Sequence, residues 1–227
     1  GNNGVVNSGA VYVFKRTGTT WAQEAYLKPP NPDISDQYGT STAVFSDTLV
    51  TGAYAESSSQ TTITNGTTAS DDDSTNHSGA VYVYKRTGTT WAQEAYIKAP
   101  NPDVSDYFGT SVALSSDTMV VGAFNEDSNQ TTISNGATAS SDNSNLSAGA
   151  AYVFKRTGTT WAMEAYLKAP NCDAGDEFGK SVSVSLDSIV VGAKGESSNQ
   201  TTITNGATAS SDNSVNSSGA AYVFKRQ

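Results

Sequence analysis

The strongest constraint on this chain is that it repeats itself every 70 residues. The phrase Gly-Ala-x-Tyr-Val-Phe/Tyr-Lys-Arg occurs at Gly9–Arg16, Gly79–Arg86, Gly149–Arg156 and Gly219–Arg226, and Thr-Gly-Thr-Thr-Trp-Ala follows the first three. A fixed period of this length marks a repeat architecture, in which each unit is a supersecondary module that buries its apolar face only against its neighbours. The units run 17–86, 87–156 and 157–226, with 1–16 as the tail of a preceding unit, so 1–227 reads as one array. Because it starts inside a unit and stops one residue past a boundary, the sequence is expected to be a segment of a longer array or a processed form. Repetition also argues against a conventional active site, which gathers unlike residues in one place.

Each unit carries four candidate strands. One set is Val112–Ser115, Met119–Ala123, Ala150–Lys155 and Trp161–Lys168. These are short runs rich in aromatic and β-branched residues, bounded by Gly, Asp, Asn or Pro. In the last of them Trp, Met, Ala and Leu alternate with Ala, Glu, Tyr and Lys. No helical period of similar strength is present. Ser115–Thr118 and Thr157–Thr160 read as hairpin turns. The other connections are longer: 169–177, with Pro170, Asp173 and Asp176, and 124–148, a stretch of Asn, Ser, Thr, Asp and Gly. A loop as long as the second is usually functional or mobile. In a four-stranded meander lettered A to D, the A–B and C–D turns share one face, and the B–C and D–A connections share the other. The sequence therefore predicts Asp106 and Asp127 on the same face.

Composition narrows the partners. The net charge is −9, and the basic residues are repeat-phased except Lys180 and Lys194: four Lys-Arg pairs plus Lys28, Lys98 and Lys168. No basic stripe is interleaved with aromatics, which argues against nucleic acid. An acidic surface suits solubility or cations. Cys172 is the only cysteine, and Pro32 and Pro102 stand at its equivalents, so the sequence holds no disulfide framework. No apolar run approaches the roughly 18–20 residues needed to span a bilayer. No secretory leader is visible at the start, though a mature chain would have lost one.

The ordered set Asp106-Tyr107-Phe108-Gly109-Thr110-Ser111-Val112-Ala113-Leu114, Asp117 and Val120-Val121-Gly122-Ala123 resembles the FG-GAP repeat. Tyr38-Gly39 with Val50-Thr51-Gly52-Ala53, and Phe178-Gly179 with Val190-Val191-Gly192-Ala193, are the equivalents. The resemblance covers nearly the whole chain and is closest to arrays of bacterial surface and secreted proteins. It implies an all-β fold of β-propeller blades, each a four-stranded antiparallel meander. About three blades are expected, as an arc of a larger or oligomeric ring, with roles in adhesion and extracellular recognition. The integrin-type calcium loop, Asp-x-Asp-x-Asp-Gly between strands A and B, has no counterpart in the short turns Phe45–Thr48, Ser115–Thr118 and Leu186–Ser188. The residues have a physical reading of their own. Gly109 and Gly122 permit close backbone approach, and Phe108 with Val120-Val121 supplies the interior. A β-sandwich or β-solenoid of the same strands stays open. The strand order C-D, A-B-C-D, A-B-C-D, A-B-C leaves two exposed sheet edges. Further repeats, other chains completing a ring, or head-to-tail addition into a fibre would cover them.

Candidate chemistry is sparse. Asp103 and Asp106 on one connection, Glu126 and Asp127 on the next, and Asp33, Asp36, Asp173 and Asp176 at equivalent places offer oxygens of the kind calcium takes. Calcium is accordingly the candidate cofactor, and turn capping is the alternative role for these acids. No catalytic group stands out: His77, the only histidine, lacks a nucleophile and an orienting partner. Asn65, Asn76, Asn129, Asn145, Asn199 and Asn216 lie in Asn-x-Ser/Thr acceptor patterns for glycosylation. Trp21, Trp91 and Trp161 recur with Tyr26, Tyr96 and Tyr166, and read as packing between blades. The expected function is a non-enzymatic extracellular or cell-surface protein for adhesion, recognition or surface-structure assembly, acting through the acidic long loops. The alternatives are a structural subunit that polymerises head to tail into a fibre or sheath, and an accessory binding domain of a larger secreted enzyme. Expected partners are a protein or glycan, or further copies of the chain, with no nucleic acid and no membrane-spanning segment.

Overall fold

The structure, a computed structural model, describes residues 4–225; the first three residues of the leading partial unit, and Arg226 and Gln227, lie outside them. The described residues hold fifteen strands and no helix, arranged as four antiparallel sheets in succession along the chain. β1 (Val11–Thr17) pairs with β2 (Thr20–Leu27). β3 (Ser41–Phe45), β4 (Thr48–Ala53), β6 (Ala80–Thr87) and β7 (Thr90–Ile97) form a meander, and the two-residue β5 (Thr64–Asn65) lines the free edge of β7. β8 (Ser111–Ser115), β9 (Thr118–Ala123), β11 (Ala150–Thr157) and β12 (Thr160–Leu167) repeat the meander, with β10 (Ser134–Asn135) on β12. β13 (Phe178–Ser185), β14 (Ser188–Ala193) and β15 (Ala220–Lys225) form the last sheet. The order is the expected C-D, A-B-C-D, A-B-C-D, A-B-C, and the described residues close no ring. The long B–C connection is more structured than its composition indicates, since β5 and β10 make it an edge strand of its own sheet.

Local chemistry sets the turns. Each C–D turn is two residues long, and its glycine (Gly88, φ +64; Gly158, φ +64) supplies the left-handed backbone that such a hairpin needs at its first position. The D strands carry a bulge. Tyr84 pairs with Gln93 and Val83 with Ala95, so Glu94 is the extra residue. Glu24 and Glu164 are bulged in the same way against β1 and β11. This overturns the simple alternation expected for Trp161–Lys168. The bulge switches faces at Glu164, so Trp161 and Tyr166 join one buried cluster while Ala165 and Leu167 join another.

Successive sheets pack face to face. On β6, Val81 and Val83 pack toward the following sheet and Tyr82 and Tyr84 toward the preceding one, and all four are buried. Phe108 sits fully buried in the seam, its ring edge-on to Tyr152 at 5.2 Å and to Phe154 at 6.1 Å. The backbones touch there. A Cβ on Gly122 would lie 1.9 Å from the Gly179 carbonyl oxygen, and one on Gly52 would lie 1.9 Å from that of Gly109. The Phe-Gly pair of one sheet thus rests on the Gly-Ala pair of the sheet before it, and only glycine permits that approach. The Ser41 and Ser111 hydroxyls donate to the Gly109 and Gly179 carbonyls at 2.7 and 2.8 Å and hold the contact.

Candidate functional site

The strand directions bring both long connections out on the same side of the sheets, as expected for Asp106 and Asp127. Asn125 Nδ2 donates to the Ser105 carbonyl at 2.8 Å, and the Tyr107 and Phe124 rings stack at 5.4 Å, so the two connections are neighbours.

A buried carboxylate ties them to the sheets. Glu126 lies just past β9 and turns inward. Its Oε1 accepts from the Tyr166 hydroxyl (2.8 Å) and Asn101 Nδ2 (3.2 Å), and its Oε2 accepts from Lys168 Nζ (2.9 Å) and the Ser128 amide (3.2 Å). Alternation places Tyr166 and Lys168 on one face at the end of β12. Glu56 repeats the arrangement, with the Tyr96 hydroxyl and Lys98 Nζ each at 2.8 Å, and Lys98 also donates to the Ser78 hydroxyl and the Gly79 carbonyl. Burial pushes the Lys98 ammonium below its ordinary range, and the Glu56 charge opposes that shift. Such a pair adds little net stability, because both charges give up water, but removing one partner is severe. Its structural effect is to pin the B–C connection to strand D of its own sheet.

Asp106 is the second anchor. Its Oδ2 accepts the Asp103 amide at 2.9 Å, and Asp36 and Asp176 take the Asp33 and Asp173 amides in the same way. Burial pushes the Asp106 carboxyl up to about 8; the Asp103 amide opposes this, and the Glu126, Asp103 and Asp127 charges reinforce it. Asp36 and Asp176 are pushed up to about 6, again chiefly by burial. At neutral pH Asp106 is therefore mostly the neutral acid.

The model for the FG-GAP repeat matches residues 21–84, 91–154 and 161–202. The chain belongs to the FG-GAP repeat family. The first two matches each run from strand D of one sheet through strand C of the next, and the third stops in the connection after β14. No curated protein matches this FG-GAP chain.

In these FG-GAP repeats each A–B turn carries a single acid, and in the first two an arginine holds it. Arg156 donates to Asp117 Oδ1 from Nε (2.9 Å) and Nη2 (2.7 Å), and Arg86 clamps Asp47 likewise. One carboxylate already bound by arginine does not supply the oxygen cage of an integrin-type calcium loop. Elsewhere, no three of His, Cys, Asp and Glu among the described residues stand together as a metal-holding group. The structure brings Asp103, Asp106, Glu126 and Asp127 into one neighbourhood, but each is in use within the protein or lies beside a group that is. Asp127, for example, accepts the Ser147 amide at 2.7 Å.

Of the glycosylation candidates, Asn76, Asn129, Asn199 and Asn216 are exposed in the long connections. Asn65 is engaged across a seam, donating to the Trp161 carbonyl and accepting the Trp161 amide. Asn145 Nδ2 faces the carbonyl and Sγ of Cys172. Burial pushes the Cys172 thiol up, away from thiolate reactivity. His77 is exposed and stacks on Tyr107 at 5.9 Å.

Two elements escaped the sequence reading. One is the bulged glutamate, which the bulge aims across the seam: Glu94 meets Arg156 and Glu24 meets Arg86, both at 3.2 Å. The other is Asn101, which accepts the Tyr152 hydroxyl while donating to Glu126 and to the Ser140 carbonyl. The available signal was recurrence at 70 residues: Asn31 and Asn171 take the corresponding tyrosine hydroxyls, Tyr82 and Tyr222.

Proposed function

We propose that this chain is a non-enzymatic extracellular recognition module, an arc of a β-propeller whose long-connection face meets a protein or glycan partner. The carrying observation is that one loop scaffold is built three times on the same side of consecutive sheets. Gln60, Gln130 and Gln200 each donate to the carbonyl two residues on and to the hydroxyl four residues on. Asp72, Asp142 and Asp212 each accept an amide 13 residues earlier in the chain. The Ser59 hydroxyl and amide hold the Asp72 carboxyl down at about 2, so it stays an acceptor at any physiological pH. Polar segments of this composition would not hold a shape alone. Here they are fixed, the first two anchored below by the Glu56–Lys98 and Glu126–Lys168 pairs, and they expose hydroxyls, amides and acids.

Three like sites on one face favour a repetitive partner through avidity. The carboxylates act as turn and loop acceptors rather than as nucleophile, base and orienter, which supports binding over catalysis. FG-GAP repeats are typically extracellular, which supports that location, and no helix among the described residues is long and apolar enough to cross a membrane. The test is binding of the chain to a glycan microarray and to a panel of purified matrix proteins. Substitutions at Asp71–Asp73 and Asp142 should reduce binding, and substitutions in the C–D turns on the opposite side should not. Binding to neither panel, or equal sensitivity of the two faces, would refute the reading.

A further inference from the structure

We propose that Tyr54 and Tyr107, on the long-connection face, form the seat for a lysine or arginine side chain of a basic protein segment. The proposal rests on the reading of that face as a recognition surface, and it names the chemistry of the partner. It starts from where the three units differ. Much of the exposed long connection is copied without change: Gln-Thr-Thr-Ile at 60–63 recurs at 130–133 and 200–203. Exposure alone therefore does not account for variation. Only six positions carry a different residue in every unit, those of Ile34, Gln37, Leu49, Tyr54, Ala55 and Thr75. Two of them change character altogether. One reads Gln37, Tyr107, Glu177, and the other reads Tyr54, Phe124, Lys194. These two positions touch. The Tyr107 ring stands edge-on to Tyr54 at 5.5 Å and stacks on Phe124 at 5.4 Å, and Glu177 pairs with Lys194 at 3.6 Å. Variation gathered into one contact, on a scaffold otherwise copied, marks a loop surface fitted unit by unit to something outside it.

One unit shows what such a contact holds. Lys180, on β13, sets its ammonium 3.3 Å from the centre of the Phe124 ring, and Glu177 Oε2 stands 3.1 Å from the same nitrogen. A cation over an aromatic face is attracted by the ring's negative face, more so where water is partly excluded. One unit earlier the ring is Tyr54, and Thr110 stands at the position of Lys180. Tyr107 takes the position of Glu177, on the same left-handed backbone (φ +57 and +53). Its ring lies at 71° to Tyr54, so the two rings wall a corner, and His77 extends the wall by stacking on Tyr107. Both tyrosines are half-buried, and no lysine or arginine among the described residues sits over either ring. The aromatic walls recur from one unit to the next, whereas the internal cation does not.

Charge selects the partner. Sixteen of the 22 acids lie in the D–A and B–C connections, against four of the 13 basic residues. Two of those four, Lys98 and Lys168, are buried in pairs with Glu56 and Glu126. The face therefore surrounds the aromatic corner with a negative field, which draws cations in and repels anionic chains. A neutral sugar gains nothing from that field. A segment with several lysines and arginines uses both features, one side chain seated on the rings and the others among the acids of the connections.

The probe is a short fluorescein-labelled peptide in which lysine and arginine alternate with serine, titrated with the 227-residue chain and read by fluorescence anisotropy. Binding is expected, and it should weaken as salt screens the field. Tyr107→Glu combined with Thr110→Lys copies the Glu177–Lys180 arrangement into the first seat and leaves the net charge at −9. It should weaken peptide binding about fivefold or more, an effect that bulk charge does not produce. Tyr54→Leu keeps the apolar bulk without the ring and should weaken binding about threefold. On the unmutated chain, a peptide carrying one trimethyllysine should show nuclear Overhauser contacts from its methyl protons to the Tyr54 and Tyr107 rings, which keeps the test open should a variant fail to fold. Binding that is indifferent to both variants but lost on substitution of Asp71, Asp72, Asp73 and Asp142 would overturn the seat and leave the loop face as the recognition surface. Binding of a neutral glycan with none of the basic peptide would do the same. Methyl contacts to neither tyrosine would also overturn the seat, and binding of neither peptide, glycan nor matrix protein would overturn both readings.

Discussion

Asp106→Asn isolates the buried acid of the loop face. The ordinary value for this carboxyl is 3.8, and burial raises it to about 8 in the folded chain. Between those values the folded state keeps a proton that the unfolded state has released. The stability that this proton provides is fully present below about pH 4 and is lost as pH rises to about 8. From pH 5 upward the loss covers about three units at about 1.36 kcal/mol each, or roughly 4 kcal/mol by pH 9. That is a large share of the about 5–15 kcal/mol that holds a typical domain together. Asparagine keeps the shape and the carbonyl that accepts the Asp103 amide, and it has no proton to lose. The stability gap in favour of the variant should therefore widen by roughly 4 kcal/mol between pH 5 and pH 9, read from urea midpoints by tryptophan fluorescence. Asp36 and Asp176, raised only to about 6, should complete their loss by about pH 6, so their asparagine variants should gain roughly 1 kcal/mol and no more above it. A gap that stays constant across this range, or widens toward acid, would refute the assignment of Asp106 as a neutral acid.

Other substitutions probe the seams and anchors. Gly122→Ala drives a methyl group into the Gly179 carbonyl and should destabilise the chain by more than about 3 kcal/mol. Gly158→Ala, in open space at φ +64, should lose only about 1–2 kcal/mol in the same urea titration. Lys98→Met leaves Glu56 buried without its cation and should destabilise by about 3–5 kcal/mol, seen as a lowered thermal midpoint. Calorimetric titration with calcium to about 1 mM should show no binding, because the Asp106 and Glu126 carboxylates already serve internal hydrogen bonds; saturable heat at that concentration would support a metal-binding role for the acids of the connections.

Recurrence made the strands and tight turns legible. The phrase at Gly149–Arg156 sits on β11, and Val120-Val121-Gly122-Ala123 sits on β9, because short apolar runs flanked by turn residues have few other options. The common side of Asp106 and Asp127 followed from counting strand reversals. Three features stayed hidden for physical reasons. The bulge at Glu164 depends on pairing with β11, so the sequence alone shows an unbroken alternation. The burial of Lys98 and Lys168 is not visible in the sequence, since lysine is almost never fully buried without a partner, and the partner lies 42 residues away. β5 and β10 are two polar residues each, and their strand character comes wholly from the edges of β7 and β12.

The buried Lys–Glu pair has a use that stability alone does not explain. Near-identical units threaten an array with misregistered pairing, because a strand such as β15 finds almost the same edge on any sheet. Apolar seams penalise such errors weakly, since the same Val, Tyr and Phe recur at each. A pair linking strand D to the B–C connection penalises a slip of strand D along its neighbour strongly, because the lysine then misses Glu56 or Glu126 and strands it in the interior. Replacing both members, as Lys98→Met with Glu56→Leu, is therefore expected to restore most of the stability lost in Lys98→Met alone. It should also loosen the uniqueness of pairing, visible as doubled amide resonances for β6 and β7 in two-dimensional NMR. A double variant with single, sharp resonances would show that hydrophobic complementarity alone sets the register, and that the charges serve only to hold the loop.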